Sequence, residues 1–233
     1  MIDEILPNRV ISIIGSGGKT TLMYAIAKKL ASLQKKVIIT TSTKIFVPKD
    51  YPYVLIPNTS NLDKVNKNDI FSKISAVLDK NSICCTGILY TEKLTPDNYK
   101  LSSFTNSGIN ANELLKYCNA DYILIEADGS KHMPLKFPSI NEPVIVPESD
   151  MVIGVVGLWC IGKPLKDVCH RFELACIFLS DLYGIRIPPE HIVTMCDVNA
   201  IVNSDLGYKK NVGHRVFKLI EFENPPVYSN FKL

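Results

Sequence analysis

No stretch of this sequence approaches the roughly 20 consecutive apolar residues that a membrane-spanning helix needs, so a membrane partner is not expected. Charge of one sign is equally sparse. The chain has 26 Lys and Arg against 23 Asp and Glu, a net charge of +3, and its lysines are scattered, leaving no electrostatic footprint for nucleic acid. The seven cysteines, Cys84, Cys85, Cys118, Cys160, Cys169, Cys176 and Cys196, are odd in number and lack the C-x-x-C spacing of a zinc site. That usage fits a reduced, cytoplasmic compartment. The apolar opening run is short and leads into a glycine-rich loop instead of a cleavage site, so no secretory leader is expected.

With 233 residues, 46% of them apolar, the chain can bury a substantial core. Apolar runs alternate with helical patterns, which predicts an α/β domain with a mainly parallel sheet. The first strand is expected over Arg9–Ile14, followed by a helix carrying Leu22, Met23, Ile26, Ala27, Leu30 and Leu33 at helical spacing. Val37–Thr41 reads as a buried parallel strand. A helix is predicted over Asn61–Lys80 from Leu62, Val65, Ile70, Phe71, Ile74, Val77 and Leu78, and a strand over Ser82–Gly87. Cys84 and Cys85 lie inside that strand as small hydrophobes or, alternatively, in a redox or chalcogen-handling role. Between 88 and 110 the pattern breaks at Pro96-Asp97-Asn98, predicting a hairpin or excursion. Pro188-Pro189-Glu190 reads as the start of a helix running to Val202. The whole chain, 1–233, is expected to form one nucleotide-binding domain with a helical C-terminal part at 165–215.

The chemistry concentrates in Gly15-Ser16-Gly17-Gly18-Lys19-Thr20-Thr21, between the first strand and its helix. Glycines there let backbone N–H groups approach phosphate oxygens, a lysine reaches the β- and γ-phosphates, and a hydroxyl holds Mg²⁺. Lys19 and Thr20 fill the last two roles, and the helix N-terminus faces the same anion. The standard loop places a glycine six residues before the lysine, where this chain has Ile13. The compact form Gly-x-x-Gly-Lys-Thr-Thr is similar to the nucleotide loop of the Mur-type amide ligases.

Thr40-Thr41-Ser42-Thr43-Lys44 ends the second strand, and ligands of open α/β sheets bind beyond strand carboxyl ends. Thr41, Thr43 and Lys44 could face the nucleotide, with a hydroxyl there completing a Mg²⁺ shell and Lys44 contacting a phosphate or an anionic substrate. Asp121-Tyr122-Ile123-Leu124-Ile125-Glu126-Ala127-Asp128-Gly129-Ser130 has the form of a magnesium-side strand, its carboxylates emerging where the sheet meets the phosphates. Glu126 and Asp128 are therefore the acidic candidates, for the metal or for orienting the nucleophile.

Glu-Ala-Asp-Gly-Ser at 126–130, Pro-Leu-Lys-x-Pro at 134–138 and Glu-Pro-Val-Ile at 142–145 join the loop and the Thr-Thr-Ser-Thr-Lys element. Val155-Val156-Gly157-Leu158, Gly162-Lys163-Pro164-Leu165 and His170-Arg171 continue the series. This ordered set resembles the selenium-dependent hydroxylase accessory protein family (YqeC type) over roughly residues 8 to 220. The resemblance implies a P-loop NTPase-like three-layer fold and a nucleotide-binding factor serving bacterial molybdenum hydroxylases that carry selenium. It makes Lys136 and Arg171 anion contacts and His170 a proton carrier. Relatives carry an Asn-Lys-x-Asp-like element near the C-terminus, whereas this chain runs Val216–Pro226 without one. The base, ATP or GTP, therefore stays open.

The expected function is slow Mg²⁺-dependent hydrolysis of a nucleoside triphosphate, with a molybdenum hydroxylase or its maturation factors as partner. Two alternatives stand beside it. One is a ligase-like enzyme that activates a carboxylate with ATP. The other is a non-catalytic module switched by nucleotide.

Overall fold

A computed structural model describes residues 1–48, 50–58, 66–90 and 99–226. A single turn, α1 (Ile2–Ile5), precedes β1 (Val10–Gly15), which is buried along its length as a strand covered on both faces should be. Then follow α2 (Lys19–Ser32), β2 (Val37–Thr41), β3 (Lys44–Phe46), β4 (Tyr53–Ile56), α3 (Lys67–Asn81), β5 (Ile83–Tyr90) and β6 (Lys100–Ser102). Next come α4 (Ala111–Tyr117), β7 (Tyr122–Glu126), β8 (Leu135–Lys136) and β9 (Met151–Gly157). The chain continues through α5 (Leu165–Val168), β10 (Cys169–His170), α6 (Phe172–Tyr183), α7 (Met195–Asn203) and β11 (Val216–Phe222).

The main sheet runs β11-β9-β1-β7-β2-β5-β6-β3, with β4 pairing on β5. Every pairing from β11 to β5 is parallel, as is β4 on β5, while β6 is antiparallel to both β5 and β3. Strand alternation sends successive residues to opposite faces. On one face Leu22, Met23, Ile26 and Leu30 of α2 pack over Ile11, Ile13, Ile39 and Leu124. On the other, α3 and α4 cover Val10, Ile38, Ile123 and Ile125, and α5, α6 and α7 cover Ile14, Val152 and Val156. The architecture is mixed α/β with a mostly parallel central sheet between helices, and β1 near its middle. The carboxyl ends of β1, β7 and β2 consequently open side by side at one edge.

Local signals correct several expected boundaries. The helix α3 spans Lys67–Asn81, with the Asn66 side chain accepting the Asp69 N–H as its cap, while the expected start at Asn61 lies outside the described residues. Ser82 closes α3 in the left-handed conformation at φ 60°, so β5 starts at Ile83 and runs past Gly87 to Tyr90. The C-terminal helix α7 starts at Met195 instead of Pro188, because Thr194 and Asp197 form a reciprocal capping box there. Leu62, Val65, the turn signal at Pro96-Asp97-Asn98 and the tail beyond Pro226 lie outside the described residues.

Cys84 and Cys85 point to opposite faces of β5, Cys84 into the α3 side and Cys85 into the α2 side. Burial pushes the Cys84 thiol up to about 12, and that of Cys85 higher still. Neither is a thiolate at neutral pH, so a nucleophilic redox role finds no support in their surroundings. A thiol reagent such as dithionitrobenzoate should modify exposed Cys196 within minutes and leave Cys84 and Cys85 unmodified until the fold opens, which peptide mass spectrometry would read directly.

Candidate functional site

The turn between β1 and α2 is shaped by glycines where a side chain has no room, Gly15 and Gly18 among them. Gly15 has φ +91°, and a Cβ there would collide with the Val155 carbonyl and come within 2.6 Å of the Tyr208 ring. Gly18, the N-cap of α2, has φ +128°, and a Cβ there would lie 2.6 Å from Pro226. No side chain caps α2. The N–H groups of its first turn therefore have no helical partner and point out of the helix end.

This helix end opens into a cleft of about 930 Å³. Gly17, Gly18, Lys19, Thr20 and Thr21 line it from the loop, Thr43 and Lys44 from the end of β2 and β3, and Glu126 from the end of β7. His170 and Arg171 line it from β10 and the start of α6. Elements far apart in sequence thus bring most of the candidate residues to one place. Gly15, Ser16, Asp128 and Lys136 are not on its surface but directly beneath it, all buried.

The charged groups form an alternating series. Lys19 Nζ donates to the Gly15 carbonyl at 2.8 Å and to Ser130 Oγ at 3.2 Å, and lies 3.2 Å from Asp128 Oδ1 and 4.0 Å from Glu126 Oε1. Asp128 Oδ2 accepts the Gly15 N–H at 2.9 Å and lies 3.0 Å from Lys136 Nζ. Lys136 in turn donates to the Gly129 carbonyl and to Glu142 Oε2, each at 2.8 Å. Glu142 is held by both terminal nitrogens of Arg171, at 2.6 and 2.9 Å. Such buried pairs repay desolvation only when fully hydrogen-bonded, and in this series Asp128 Oδ1 is the buried oxygen without a hydrogen-bond partner, offset only by the Lys19 charge 3.2 Å away.

Several of these placements refine the roles given to the residues. Lys136 is 1% exposed and saturated by partners, so it organises Asp128 and Glu142 beneath the cleft and has no free donor for an incoming anion. Arg171 reaches the cleft surface with its guanidinium clamped on Glu142. Asp128 fixes the loop backbone at Gly15, whereas Glu126 faces outward and accepts from Thr20 Oγ1 at 2.7 Å. Ser16 is tied to the Met133 carbonyl through its hydroxyl. The Thr41 hydroxyl donates to the Glu126 carbonyl at 2.8 Å and accepts the Thr43 N–H at 2.9 Å, which holds the β2 end against β7. Lys44 is exposed, its ammonium 3.5 Å from the Tyr90 ring centroid.

Glu126 and His170, both lining the cleft, depart from their ordinary titration. Burial raises the Glu126 carboxyl, Lys19 and the Thr20 hydroxyl offset part of that, and Asp128 adds to it. His170 is depressed to about 4 by burial and then by the Arg171, Lys136 and Lys131 cations, so its ring is neutral at pH 7.

Among the described residues no group of three His, Cys, Asp or Glu side chains could hold a metal. The Thr20 hydroxyl beside the Glu126 carboxylate is an oxygen pair of the kind a hard cation takes when phosphates and water supply the rest of its shell. Sequence reasoning missed Glu142, Ser130, Phe46, Lys100, Trp159 and Pro226. Glu142 and Ser130 stand inside quoted motifs, but only the fold reveals that one clamps Arg171 and the other receives Lys19.

Comparison with known proteins bears on the same residues. The sequence model of the family described as YqeC protein matches residues 11–173, from β1 into the start of α6. The uncharacterized protein YqeC of Escherichia coli (strain K12) is 32% identical over 204 residues, covering 87% of this chain and 71% of that protein.

Proposed function

The chain belongs to the YqeC family, and from that premise and the geometry of its loop we propose that it binds a Mg²⁺–nucleoside triphosphate, ATP or GTP, on a P-loop NTPase-like fold. The observation that carries this reading is the uncapped N-terminus of α2 opening into the cleft with Lys19, Thr20 and Glu126 around it. Backbone N–H groups at that helix end stabilise the phosphate charge, and Lys19 exchanges Asp128 for a phosphate oxygen. Thr20 and Glu126 are the residues that would hold Mg²⁺. Bound there, the ion neutralises charge on the β- and γ-phosphates. Asp128, buried and bonded to the Gly15 N–H, positions the loop.

Turnover is slow on this reading. Hydrolysis forms a bond from a water oxygen to the γ-phosphorus and breaks the bond to the β-phosphate oxygen. Among the described carboxylates lining the cleft, Glu126 is engaged with Thr20 and Glu142 with Arg171, which leaves no unencumbered base to orient that water. The sequence resemblance supplies the setting, an accessory role in maturing a selenium-dependent molybdenum hydroxylase. Co-purification of a tagged chain with such an enzyme, strengthened by ATP and Mg²⁺, tests that part. Calorimetric titration with ATP and GTP, each with and without Mg²⁺, tests the nucleotide part, and no heat with either would refute it.

The raised Glu126 carboxyl gives a pH signature. A proton held above the usual carboxylate range competes with Mg²⁺, so Mg²⁺-dependent affinity should fall as pH drops through the folded Glu126 pKa, at most about tenfold per pH unit. The free fold shows the opposite trend from this group. Its contribution is present below the unfolded pKa and lost as pH rises through the folded one. Glu126→Gln should flatten the affinity profile, and an unchanged slope in that variant would remove Glu126 from the metal site.

A further inference from the structure

The cleft is asymmetric about β1. On the side of β9 and β11 it is bordered by Trp159, Pro225 and Pro226, an apolar margin. On the side of β2, β3 and β6 it is bordered by Lys44, Phe46 and Lys100, with Lys131 and His132 arriving from the loop after β7. The strand geometry explains this second grouping. Lys44 and Phe46 occupy the exposed face of β3 while Ile45 is buried, and Lys100 is the cross-strand partner of Phe46. The Phe46 ring, 43% exposed, stacks on the His132 ring with centroids 6.3 Å apart, and Lys100 Nζ stands 4.5 Å from the Phe46 centroid.

Lys44, Lys100 and Lys131 form no ion pair with a carboxylate among the described residues. Lys19 and Arg171, by contrast, have theirs. Lysine on an edge strand such as β3 guards against pairing with another chain. That duty needs neither an aromatic floor nor orientation into a cleft shared with a phosphate-binding loop.

We propose that the β3–β6 side of the cleft is a second ligand subsite, taking a small phosphate- or carboxylate-bearing molecule whose flat unsaturated group lies on Phe46 and whose anion is held by Lys44 and Lys100. This deepens the nucleotide reading and rests on it only for what the second ligand meets, a nucleotide whose phosphates end at the α2 N-terminus. The nucleoside extends toward Trp159 and Pro226, leaving the cationic side free. A flat anion gains from both features, because a lysine held over an aromatic ring is already oriented and partly desolvated.

Phenyl phosphate is the probe, with inorganic phosphate and phenol as its two halves, titrated into the full chain by calorimetry. Phenyl phosphate should bind more tightly than either half. Its affinity should fall at least tenfold in Lys44→Ala/Lys100→Ala, with ADP·Mg²⁺ affinity unchanged within about twofold. Phe46→Ala should weaken phenyl phosphate but not inorganic phosphate. Saturating ADP·Mg²⁺ should leave phenyl phosphate bound. These are surface positions, and a melting curve for each variant confirms that the fold is retained. Undiminished phenyl phosphate binding in the double variant, its displacement by ADP·Mg²⁺, or an equal loss of ADP·Mg²⁺ affinity would each overturn the subsite. A wild-type chain that binds phenyl phosphate through Lys44 and Lys100 but never binds nucleotide would refute the nucleotide reading alone.

Discussion

Lys19→Ala is expected to lower the affinity for ATP·Mg²⁺ at least about 100-fold, a loss of about 2.7 kcal/mol. The ammonium is 3% exposed at the base of the cleft, where its hydrogen bonds to an anion are charge-assisted and poorly screened by water. The same variant removes the cation that lies 3.2 Å from Asp128 and 4.0 Å from Glu126, so its stability falls as well. Calorimetry below the melting transition separates the two effects. An affinity within threefold of wild type in folded Lys19→Ala would take the lysine out of nucleotide binding.

The second large effect belongs to Lys136. Removing one member of a buried, hydrogen-bonded charge series strands its partners, and such losses run to about 3–5 kcal/mol. Lys136→Met would leave Asp128 and Glu142 without the cation that lies 3.0 and 2.8 Å from them. For a chain of this size that corresponds to a melting temperature lower by roughly 10 °C. Pairing it with Asp128→Asn should recover part of the loss, because the most deeply buried stranded charge is then gone. Scanning calorimetry of the single and double variants reads both numbers. A single variant within about 2 °C of wild type would mean that the series contributes little to the fold.

Glu142 shows why this network matters to the cleft above it. Burial alone would raise its carboxyl, yet the Arg171 guanidinium and the Lys136 ammonium outweigh that and hold it below the usual carboxylate range. The carboxylate therefore stays ionised and fixes Arg171, which opens α6 from a left-handed backbone position at φ 64°. Burial first, and then the fixed Arg171 cation beside it, keeps His170 neutral. The electrostatics of that wall thus begin at Lys136, buried beneath the cleft.

The parts of this molecule that were legible in its sequence are those specified by local chemistry. Gly15 to Thr21 announces a loop because glycine, lysine and threonine are each needed there for a separate reason, and the buried run of β2 announces a strand by length and composition. Glu126 and Asp128 were readable as a pair, yet their division of labour was not. It depends on Asp128 meeting the Gly15 N–H across 113 positions of sequence, a contact that no local pattern encodes. Lys136 was an anion contact only by the family resemblance, and tertiary packing shows it enclosed. Phe46 and Lys100 went unnoticed for a similar reason. They belong to the short strands β3 and β6, whose three residues each carry too little periodicity to read, and they become a surface only when paired. Thr194 and Asp197 mark the start of α7 more strongly than Pro188, whose position suits the turn before the helix as well as a first turn.

The central claim is that the α2 N-terminus and Lys19 hold the phosphates of a nucleotide. Crystals grown with a non-hydrolysable ATP analogue and Mg²⁺ test it most directly. The account predicts phosphate oxygens within hydrogen-bond distance of the Gly17, Gly18 and Lys19 N–H groups, with the Lys19 ammonium moved from Asp128 onto a phosphate and Mg²⁺ beside Thr20 and Glu126. A saturated crystal in which the analogue is absent from this helix end, with Lys19 still paired to Asp128, would contradict it.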